Sequence, residues 1–552
     1  MHINCYPLLR TTSGGRNMLD VAIVGGGLCG LALARKLRRR GLAIAVFEAR
    51  DRLGGRILTV PQAKGGGADL GATWFWPKTQ PLVAHLVKDL GLRDFAQHDE
   101  GDVLHLREGD KAAERIEDKR LYDDARRLHG GTQALVRALA GELPPDAIHL
   151  GHELSSLRDC GDHISLAFKT GEEPMELTAR RVVLAAPPRL LRETVTFTPP
   201  LDEATDQAML GAETWMAAQA KVVLEYEQAF WRDQHLSGSA FVTHEQAVIG
   251  EIFDACDLPA ELFALGGFLA LDAAQREAFG VGLPMLMVSQ IANVFLRDVE
   301  PVRIHYQDWA KERLTCSAAD REQRDSDSSG DVANPLLRQI LWDKKLHLGG
   351  SETAARNAGY LEGALDAARR IERALAALDM KERNFDDAVF DTMPTNEASL
   401  ARFSAWVDAR SDEVFENYRR RLNRALAAQE RDNLTQIAVL GAMEEVFAQA
   451  LRMLQTLPFD MDEVSVERGR ASLTPSIQKP FGELLQAIMD DVVAFNRTSC
   501  ALSNFPGEHE LSKDYLRVIM QDIAAAWREF SLAANGVLLT KRSETQRREK
   551  AG

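Results

Sequence analysis

Residues 21–56 read VAIVGGGLCGLALARKLRRRGLAIAVFEARDRLGGR, and this stretch decides the fold. An apolar run with the length of a buried parallel strand leads into three glycines in G-x-G-x-x-G spacing, then a helical run and a second apolar strand. Gly25 permits a tight turn, Gly27 lets the backbone approach a diphosphate, and Gly30 lets the helix pack closely on the sheet. The pattern therefore predicts a βαβ unit that binds a dinucleotide at the N-terminus of its helix.

An acidic residue, Glu48, ends the second strand. A carboxylate at this place accepts hydrogen bonds from the ribose hydroxyls of an adenosine, and it repels a 2′-phosphate, which disfavours NADP. A lone glycine pattern would also suit a glycine-rich turn in another α/β fold. That alternative is disfavoured here because the strand, the helix, the second strand and the acidic residue are all in place.

The residues that follow indicate which dinucleotide binds. Residues 48–56 (EARDRLGGR) resemble the E-x-R-x-R-x-G-G-R extension of the flavin-containing amine oxidase superfamily. Its members include monoamine oxidases, polyamine oxidases, L-amino acid oxidases, protoporphyrinogen oxidases and phytoene desaturases. Glycines such as Gly55 let the chain pass close to the diphosphate, and guanidinium groups such as those of Arg50 and Arg56 pair with its charge. The resemblance implies FAD.

A second segment, residues 69–76 (DLGATWFW), resembles the D-L-G-A-x-W segment of the family. There the backbone runs beside the flavin, and small residues suit the approach of a flat ring. L-amino acid oxidases carry an arginine shortly afterwards for the substrate carboxylate, whereas Lys78 occupies the region here, which disfavours that activity. The resemblance implies four cofactor contacts in this segment: Gly71, Ala72, Thr73 and Trp74.

Shorter segments extend the resemblance. Residues 130–135 (GGTQAL) open a helix that leads back into the FAD domain, and residues 181–188 (RVVLAAPP) form an apolar strand that closes its sheet. Leu154, in a strand predicted over residues 149–157, falls where relatives contact the adenine through backbone groups. Trp309 ends a strand that lies below the flavin in the family.

One lysine in the middle of the chain is a candidate catalytic residue. Residues 221–231 (KVVLEYEQAFW) begin a predicted strand and resemble the K-x-x-x-x-Y-x-x-x-F-W segment of the family. In relatives the matching lysine holds a water at flavin N5, and a buried cation there supports the reaction of reduced flavin with oxygen. The alternative is a lysine on a solvated strand face, which the strand pattern alone favours. The flanking match reverses that preference for Lys221.

A second anchor, residues 346–364 (LHLGGSETAARNAGYLEGA), resembles the C-terminal flavin segment of the family. A helix predicted over residues 360–378 would point its N-terminus at the flavin O2 side and stabilise the anionic reduced ring. Tyr360 matches a tyrosine that lines the amine path, and it is the other candidate catalytic residue; the alternative is an ordinary core tyrosine. The resemblance implies cofactor contacts at Gly350, Glu352, Gly359 and Leu361, with Glu352 bonding the ribityl or diphosphate region.

Monoamine oxidases carry flavin covalently on a cysteine that is followed by a second cage tyrosine. Counted from Trp309, those two positions hold Ala318 and Ala319, and Cys316 lies two residues early. We therefore expect non-covalent FAD, with attachment through Cys316 left open as an alternative. The missing tyrosine leaves half of the aromatic cage, which argues against simple aryl-alkyl amines as substrates.

The predicted fold class is α/β: a Rossmann-like FAD-binding domain of the GR2 type with an inserted α+β substrate domain, followed by an all-α domain. The resemblance covers residues 19–386. After it, apolar residues recur at helical spacing, which predicts four or five bundled helices of unrecognised family, for oligomerisation or a protein partner. The predicted ranges are 1–18 (flexible leader), 19–80, 130–200 and 305–386 (FAD binding), 81–129 and 201–304 (substrate binding), 387–540 (helical bundle) and 541–552 (flexible tail). Helices are predicted over residues 79–130.

Composition limits the classes of function. The 552 residues suffice for two or three domains, and 45% apolar with 27% charged residues is typical of a soluble globular protein. A net charge of −15 disfavours a nucleic-acid partner. Six scattered cysteines without a C-x-x-C pair predict reduced thiols in a cytosolic protein and no zinc site. No apolar run reaches the ~18 residues of a membrane span.

Together these features predict a cytoplasmic FAD-dependent oxidase that converts a small-molecule amine to an imine. A hydride would pass to flavin N5, and O2 would reoxidise the flavin and leave as H2O2. No metal is expected, because the flavin carries the difficult chemistry. Two alternatives stay open: a desaturase or dehydrogenase of the same superfamily that acts on C–C bonds with another electron acceptor, and a flavoprotein scaffold that acts through its helical domain.

Overall fold

The structure is a computed structural model, and it describes residues 18–61, 66–117, 119–171, 173–257, 261–322, 334–383, 395–428, 433–467, 469–499, 502 and 505–549. The chain falls into two compact units, Met1–Glu372 and Arg373–Gly552. Most of the predicted leader (residues 1–17), Cys5, Cys500 and the predicted domain boundary at residues 386–387 lie outside the described residues.

The first unit is mixed α and β. Its strands are β1 (Leu19–Val24), β2 (Ile44–Phe47), β3 (Thr59–Pro61), β4 (Gly67–Asp69), β5 (Asp94–Ala96), β6 (Asp102–Leu106), β7 (Glu114–Ile116), β8 (Arg126–Leu128), β9 (Ile148–His149), β10 (Glu153–Asp159), β11 (Ile164–Lys169), β12 (Met175–Leu184), β13 (Thr196–Thr198), β14 (Ala220–Tyr226), β15 (Leu236–Val242), β16 (Ile249–Asp254), β17 (Phe263–Leu269), β18 (Arg303–Asp308), β19 (Ile340–Leu341) and β20 (Leu346–Leu348). Its helices are α1 (Leu28–Arg39), α2 (Pro81–Asp89), α3 (Gln133–Gly141), α4 (Pro188–Thr194), α5 (Glu203–Gly211), α6 (Ala273–Phe279), α7 (Leu283–Phe295) and α8 (Ala318–Glu322), and the unit ends within α9 (Leu361–Arg383).

A nine-stranded sheet runs in the order β13-β10-β11-β12-β1-β2-β9, with β20 paired to β12 and β19 to β20. β1 pairs in parallel with both β2 and β12, and residues 21–24 are buried, as an apolar run between two parallel neighbours requires. Gly25 leaves β1 with a φ of +113°, and α1 begins at Leu28. The predicted α/β class is confirmed, and the glycine turn lies at the carboxyl ends of these parallel strands.

A second sheet has seven strands in the order β18-β14-β17-β16-β15-β6-β7. Its pairs are antiparallel apart from β6 with β15. All seven residues of β14 are buried, because that strand has β17 on one side and β18 on the other. α7 packs residues such as Met287 and Ile291 into the same apolar cluster as the sheet. This sheet carries Lys221.

The prediction of helices over residues 79–130 is wrong beyond the first of them. α2 forms as its spaced apolar residues indicate, but the chain then forms β5, β6, β7 and β8. β6 joins the seven-stranded sheet through β15, which lies about 130 residues later, and β7 pairs with β6. Pairing between segments so far apart overrides local apolar spacing, which is why the sequence pattern missed it.

One described segment, Ala273–Phe295, is long and apolar enough to cross a membrane by length and composition alone. It spans α6, a short 3₁₀ turn at Gly280–Gly282 and α7, and 28% of its apolar window is buried. No such run is evident in the sequence, because the two glycines of the turn and the charged residues of α6 interrupt its apolar residues.

The second unit is helical, as predicted for the last third of the chain. Its elements are α10 (Thr395–Asp408), α11 (Ser411–Ala427), α12 (Leu434–Thr456), β21 (Val466–Glu467), β22 (Arg470–Ala471), α13 (Thr474–Gln478), α14 (Pro480–Thr498), α15 (Pro506–His509) and α16 (Lys513–Glu549). The five longer helices share one apolar core that includes Phe403, Leu422, Phe447, Phe481 and Phe530.

The flexible tail predicted from residue 541 differs from the structure, where α16 continues to Glu549. Lys541 donates hydrogen bonds to the backbone carbonyls of Gln455 and Leu457, and Arg542 donates to that of Val464. These bonds hold the polar turn of α16 on its neighbours, and local composition does not report them. Residues 550–552 lie outside the described residues.

Candidate active site

A cavity opens at the carboxyl ends of β1, β2 and β12. Both candidate catalytic residues, Lys221 and Tyr360, line it. So do these predicted cofactor residues: Gly25, Gly27, Glu48, Arg50, Gly55, Arg56, Gly71, Ala72, Thr73, Trp74, Leu154, Trp309, Gly350, Gly359 and Leu361. Gly30 and Glu352 lie behind this lining. Residues from four distant parts of the sequence therefore meet around one space.

The three glycines of the fingerprint are required for different structural reasons. A Cβ at Gly30 would lie 2.0 Å from the carbonyl oxygen of Gly25, and one at Gly25 would lie 2.3 Å from that of Ala185, so packing inside the protein requires both. A Cβ at Gly27 would meet no protein atom closer than 4.0 Å. Because Gly27 lines the cavity, the space kept free there belongs to a ligand, and a diphosphate at the start of α1 fits it.

Glu48 is fixed in orientation by its neighbours. One carboxylate oxygen accepts the backbone N–H of Gly26 at 2.7 Å, and the other accepts that of Arg50 at 3.0 Å. Each oxygen retains a lone pair for a hydroxyl donor. The buried carboxylate of Glu48 faces the same cavity as Leu154, so its geometry fits an adenosine ribose at this end.

The two arginines of the extension are anchored at their far sides. The guanidinium of Arg56 lies 2.6 Å from the carboxylate of Glu352 and donates to the hydroxyl of Ser351 at 2.9 Å. Arg50 donates to the hydroxyl of Thr315 at 2.7 Å. The buried carboxylate of Glu352 thus holds the guanidinium of Arg56 in place, and its direct bond to the cofactor stays a prediction.

Lys221 is 2% exposed, so it does not lie on a solvated strand face. Its ammonium donates to the carbonyl oxygen of Gly71 at 2.9 Å and to the hydroxyl of Thr73. Both acceptors belong to the small-residue segment, where a Cβ at Gly71 would lie 1.9 Å from the carbonyl oxygen of Arg56. The indole N–H of Trp309 donates to the carbonyl oxygen of Leu70 at 3.0 Å, which holds Trp309 against this segment.

Three aromatic rings surround the ammonium of Lys221. Its Nζ lies 5.4 Å from the ring centroid of Trp74 and 5.3 Å from those of Phe253 and Phe268. Burial lowers the pKa of Lys221 to about 7, and the negative charge of Asp69 opposes that shift. A lysine with such a pKa gains or loses a proton close to neutral pH, which suits a proton-handling role.

Tyr360 directly precedes α9 and is 38% exposed, so it is not an ordinary core tyrosine. Its ring centroid lies 5.2 Å from that of Trp215, with 35° between the two planes. Gly359 has a φ of +86°, which turns the chain into α9 just before the ring. Leu361 and Ala364, in the first turn of α9, line the cavity beside it.

The sequence profile of the family described as flavin containing amine oxidoreductase matches residues 28–117 and 101–371 of this chain. The chain belongs to this family. The match covers more than half of the 552 residues and ends one residue before the division between the two units. FAD is therefore its cofactor, in agreement with the expectation from the sequence.

Relatives and solved structures match about two thirds of the chain. Amine oxidase [flavin-containing] B of Homo sapiens is 23% identical over 457 residues, which cover 65% of this chain and 86% of the relative. Cyclohexylamine oxidase from Brevibacterium oxydans IH-35A superposes with a TM-score of 0.55 at 19% identity, covering 66% of this chain and 100% of the other. A double mutant of putrescine oxidase gives 0.53 at 21% identity, covering 65% and 99%.

Two other residues singled out in the sequence lie away from the cavity lining. Lys78 is exposed and pairs with Asp124. Cys316 is buried, donates its thiol to the carbonyl of Ser317 at 3.6 Å, and has its pKa raised to about 11 by burial. Ala318, which takes the place of the flavin-linked cysteine of monoamine oxidases, begins α8.

Sequence reasoning missed several residues of this family site. Phe253 and Phe268 reach Lys221 because β16 and β17 follow β14 in the sheet, and Lys221 is the direct register partner of Phe268. Trp215 comes from the loop between α5 and β14. The apolar run of β17 was a usable signal, but only once its pairing with β14 is known.

Proposed function

We propose that this family member oxidises a small amine with one nitrogen and an apolar remainder to the imine, with FAD held non-covalently and O2 as the acceptor. The observation that carries the proposal is the buried ammonium of Lys221 on the same cavity as the glycine fingerprint and Tyr360. FAD held by Gly27, Glu48 and Arg56 would supply the two-electron acceptor for the C–H bond next to nitrogen, and O2, reduced to H2O2, would be the final acceptor.

Lys221 supplies a fixed donor to the reaction chamber. An ammonium has three N–H donors, and two of them are taken by Gly71 and Thr73. The third is left for a water or for oxygen at the cavity. Because a buried cation repels a second cation nearby, the substrate amine binds as the neutral base, the form that can give up a hydride.

The charges of the lining limit the substrate. Within the described residues, the carboxylates that line the cavity are Glu48, at the adenosine end, and Glu153, next to Leu154. The lining also includes the aromatic and amide side chains of Trp74, Trp76, Gln80, Trp215, Gln219 and Phe268, of which Trp74 and Phe268 lie beside Lys221 and Trp215 beside Tyr360. A diamine would leave its second ammonium without a carboxylate partner there, at a high desolvation cost. A monoamine with a hydrocarbon tail fits.

Non-covalent FAD follows from the state of Cys316. A thiolate is the nucleophilic form of cysteine, and burial holds this thiol protonated at neutral pH. Denaturation and precipitation of the protein should leave the flavin in the supernatant.

An anaerobic absorbance titration of the purified holoprotein tests the proposed reaction. Cyclic and linear monoamines, diamines, polyamines and amino acids are added in turn, and bleaching of the flavin band reports hydride transfer. We expect apolar monoamines to bleach the flavin and diamines of the same length to do so at least tenfold more weakly. A flavin that none of these amines bleaches would move the assignment to the C–C desaturases of the superfamily.

A further inference from the structure

Trp215 is the largest side chain that reaches the cavity from outside the family motifs. It lies in the loop between α5 and β14, and 37% of it is exposed. We propose that Trp215 sets the upper size limit of the amine, by filling the space beside Tyr360 into which a bulkier substituent would extend. This inference rests on the proposed amine oxidation and specifies its substrate range.

The backbone of Trp215 is held in place by two contacts. Arg56 donates to its carbonyl oxygen at 3.1 Å, and Arg56 is itself held 2.6 Å from Glu352. On the other side, a Cβ at Gly359 would lie 2.4 Å from the Cβ of Trp215, so the glycine leaves the room that this tryptophan occupies. The loop is therefore held against the two flavin-binding segments that contain Arg56 and Gly359. The backbone position from which the indole extends is fixed.

The indole and the phenol form one continuous wall. At a centroid separation of 5.2 Å their rings are in direct contact, so no substrate fits between them. Both side chains line the cavity and both keep more than a third of their surface exposed. The indole thus occupies space that would otherwise belong to the cavity, and it does so beside Tyr360.

Truncation of Trp215 should enlarge the cavity without creating a sealed void. Its exposed surface faces open space, so the freed volume joins the cavity, and the cost of a closed core cavity does not arise. Hydrophobic pockets discriminate by roughly 10- to 200-fold between ligands that differ in one methylene. The indole is larger than a methylene, so its removal should change substrate preference clearly.

The test compares wild type with Trp215→Ala and Trp215→Phe across alkylamines and arylamines of rising bulk. The rate of anaerobic flavin bleaching against amine concentration gives a limiting rate constant of reduction and an apparent Kd for each amine. We expect Trp215→Ala to raise the preference for the bulkiest over the smallest amine at least tenfold, and Trp215→Phe to give an intermediate shift. Trp342→Ala, the same truncation at a residue packed on Phe197 away from the cavity, should leave the preference unchanged.

An unchanged size profile in both Trp215 variants, with FAD retained, would overturn the inference. If Trp215→Ala loses FAD, the profile of Trp215→Phe decides. Failure of the proposed function gives a different result, because then no amine bleaches the wild-type flavin. In that case perturbation of the oxidised flavin spectrum by the same amines still measures their Kd, and the inference stands or falls on whether the size dependence of Kd shifts in the variants.

Discussion

The glycines of the flavin motifs in the first unit differ from most described glycines of the second unit. In the first unit, a Cβ added at Gly25, Gly30 or Gly71 would lie 2.3, 2.0 or 1.9 Å, respectively, from a backbone carbonyl oxygen, which is a clash. In the second unit, a Cβ at Gly482 or Gly536 would meet nothing within 4 Å. A cofactor cradle demands close backbone approaches at fixed spacings, whereas packed helices demand only an apolar face. This is why the first unit carries a readable family signature.

The units also differ in what their buried polar groups face. Lys221 points its ammonium to a cavity, with Gly71 and Thr73 as partners. In the second unit, the buried amide of Asn496 bonds to Tyr418 and Thr435 within the helical core. The first arrangement keeps a donor for a ligand, and the second satisfies the core from inside.

The largest effect should come from the glycines. Gly30→Ala forces a methyl group against a backbone oxygen, and we expect it to cost about 3 kcal/mol and most of the bound FAD. Gly536→Ala, also within a helix, should instead stabilise by up to about 1 kcal/mol. Thermal unfolding together with the ratio of flavin to protein absorbance measures both. Equal effects of the two changes would remove the contrast.

The next effect concerns the two lysines that bond to carbonyl groups. Lys221→Met should slow flavin turnover about 100-fold while FAD stays bound, because the donor at the cavity is lost. Lys541→Met, which removes bonds to Gln455 and Leu457 in the second unit, is the matched control and should leave turnover unchanged. Stopped-flow reduction and reoxidation of the flavin give both rates. Unaltered kinetics in Lys221→Met would remove this residue from the site.

Each unit contains a buried glutamate that caps a helix, and here we expect similar, smaller effects. Glu362 accepts the backbone N–H groups of Leu82 and Val83 at 3.0 Å. Glu508 accepts those of Leu434 and Thr435 at 2.8 and 3.0 Å. Replacing either by Ala should cost about 1–2 kcal/mol, because two donors at a helix start lose their partner.

The glutamine variants are the controls for these caps, since the amide keeps one acceptor oxygen and should recover part of the loss. Flavin release reports the unfolding of the first unit, and helical circular dichroism reports the second. If Ala at either position left its unfolding midpoint unchanged, the observed N-cap bonds would contribute nothing to stability.

The smallest effect is a dependence of stability on pH. Burial lowers the pKa of Lys221 to about 7 in the folded protein, whereas an unfolded lysine stays protonated up to about pH 10. Above pH 7 the unfolded state therefore binds more protons, so stability rises with pH. From pH 7 to 8 wild type should gain about 1 kcal/mol relative to Lys221→Met. Parallel urea midpoints of the two proteins over this range would contradict the lowered pKa.

The sequence alone predicted those strands whose own residues and immediate neighbours in the chain indicate a strand. β1, β2 and β14 lie where the apolar runs predicted them, because each is buried and bounded by turn or charged residues. β6 and β7 were missed because their partners are far away in sequence. The same holds for the site: Gly27 and Glu48 could be placed by motif, whereas the contacts of Phe268 and Trp215 depend on register and loop geometry.

The order of strands in the nine-stranded sheet has a consequence for synthesis. β1 ends at Val24, but β20, which extends the sheet through β12, begins at Leu346. At about 5–20 residues per second, a ribosome needs roughly 16 to 64 seconds to make the chain between them. During that time the nascent chain lacks Gly350 and Gly359, so the complete cavity can form only after both residues have left the exit tunnel.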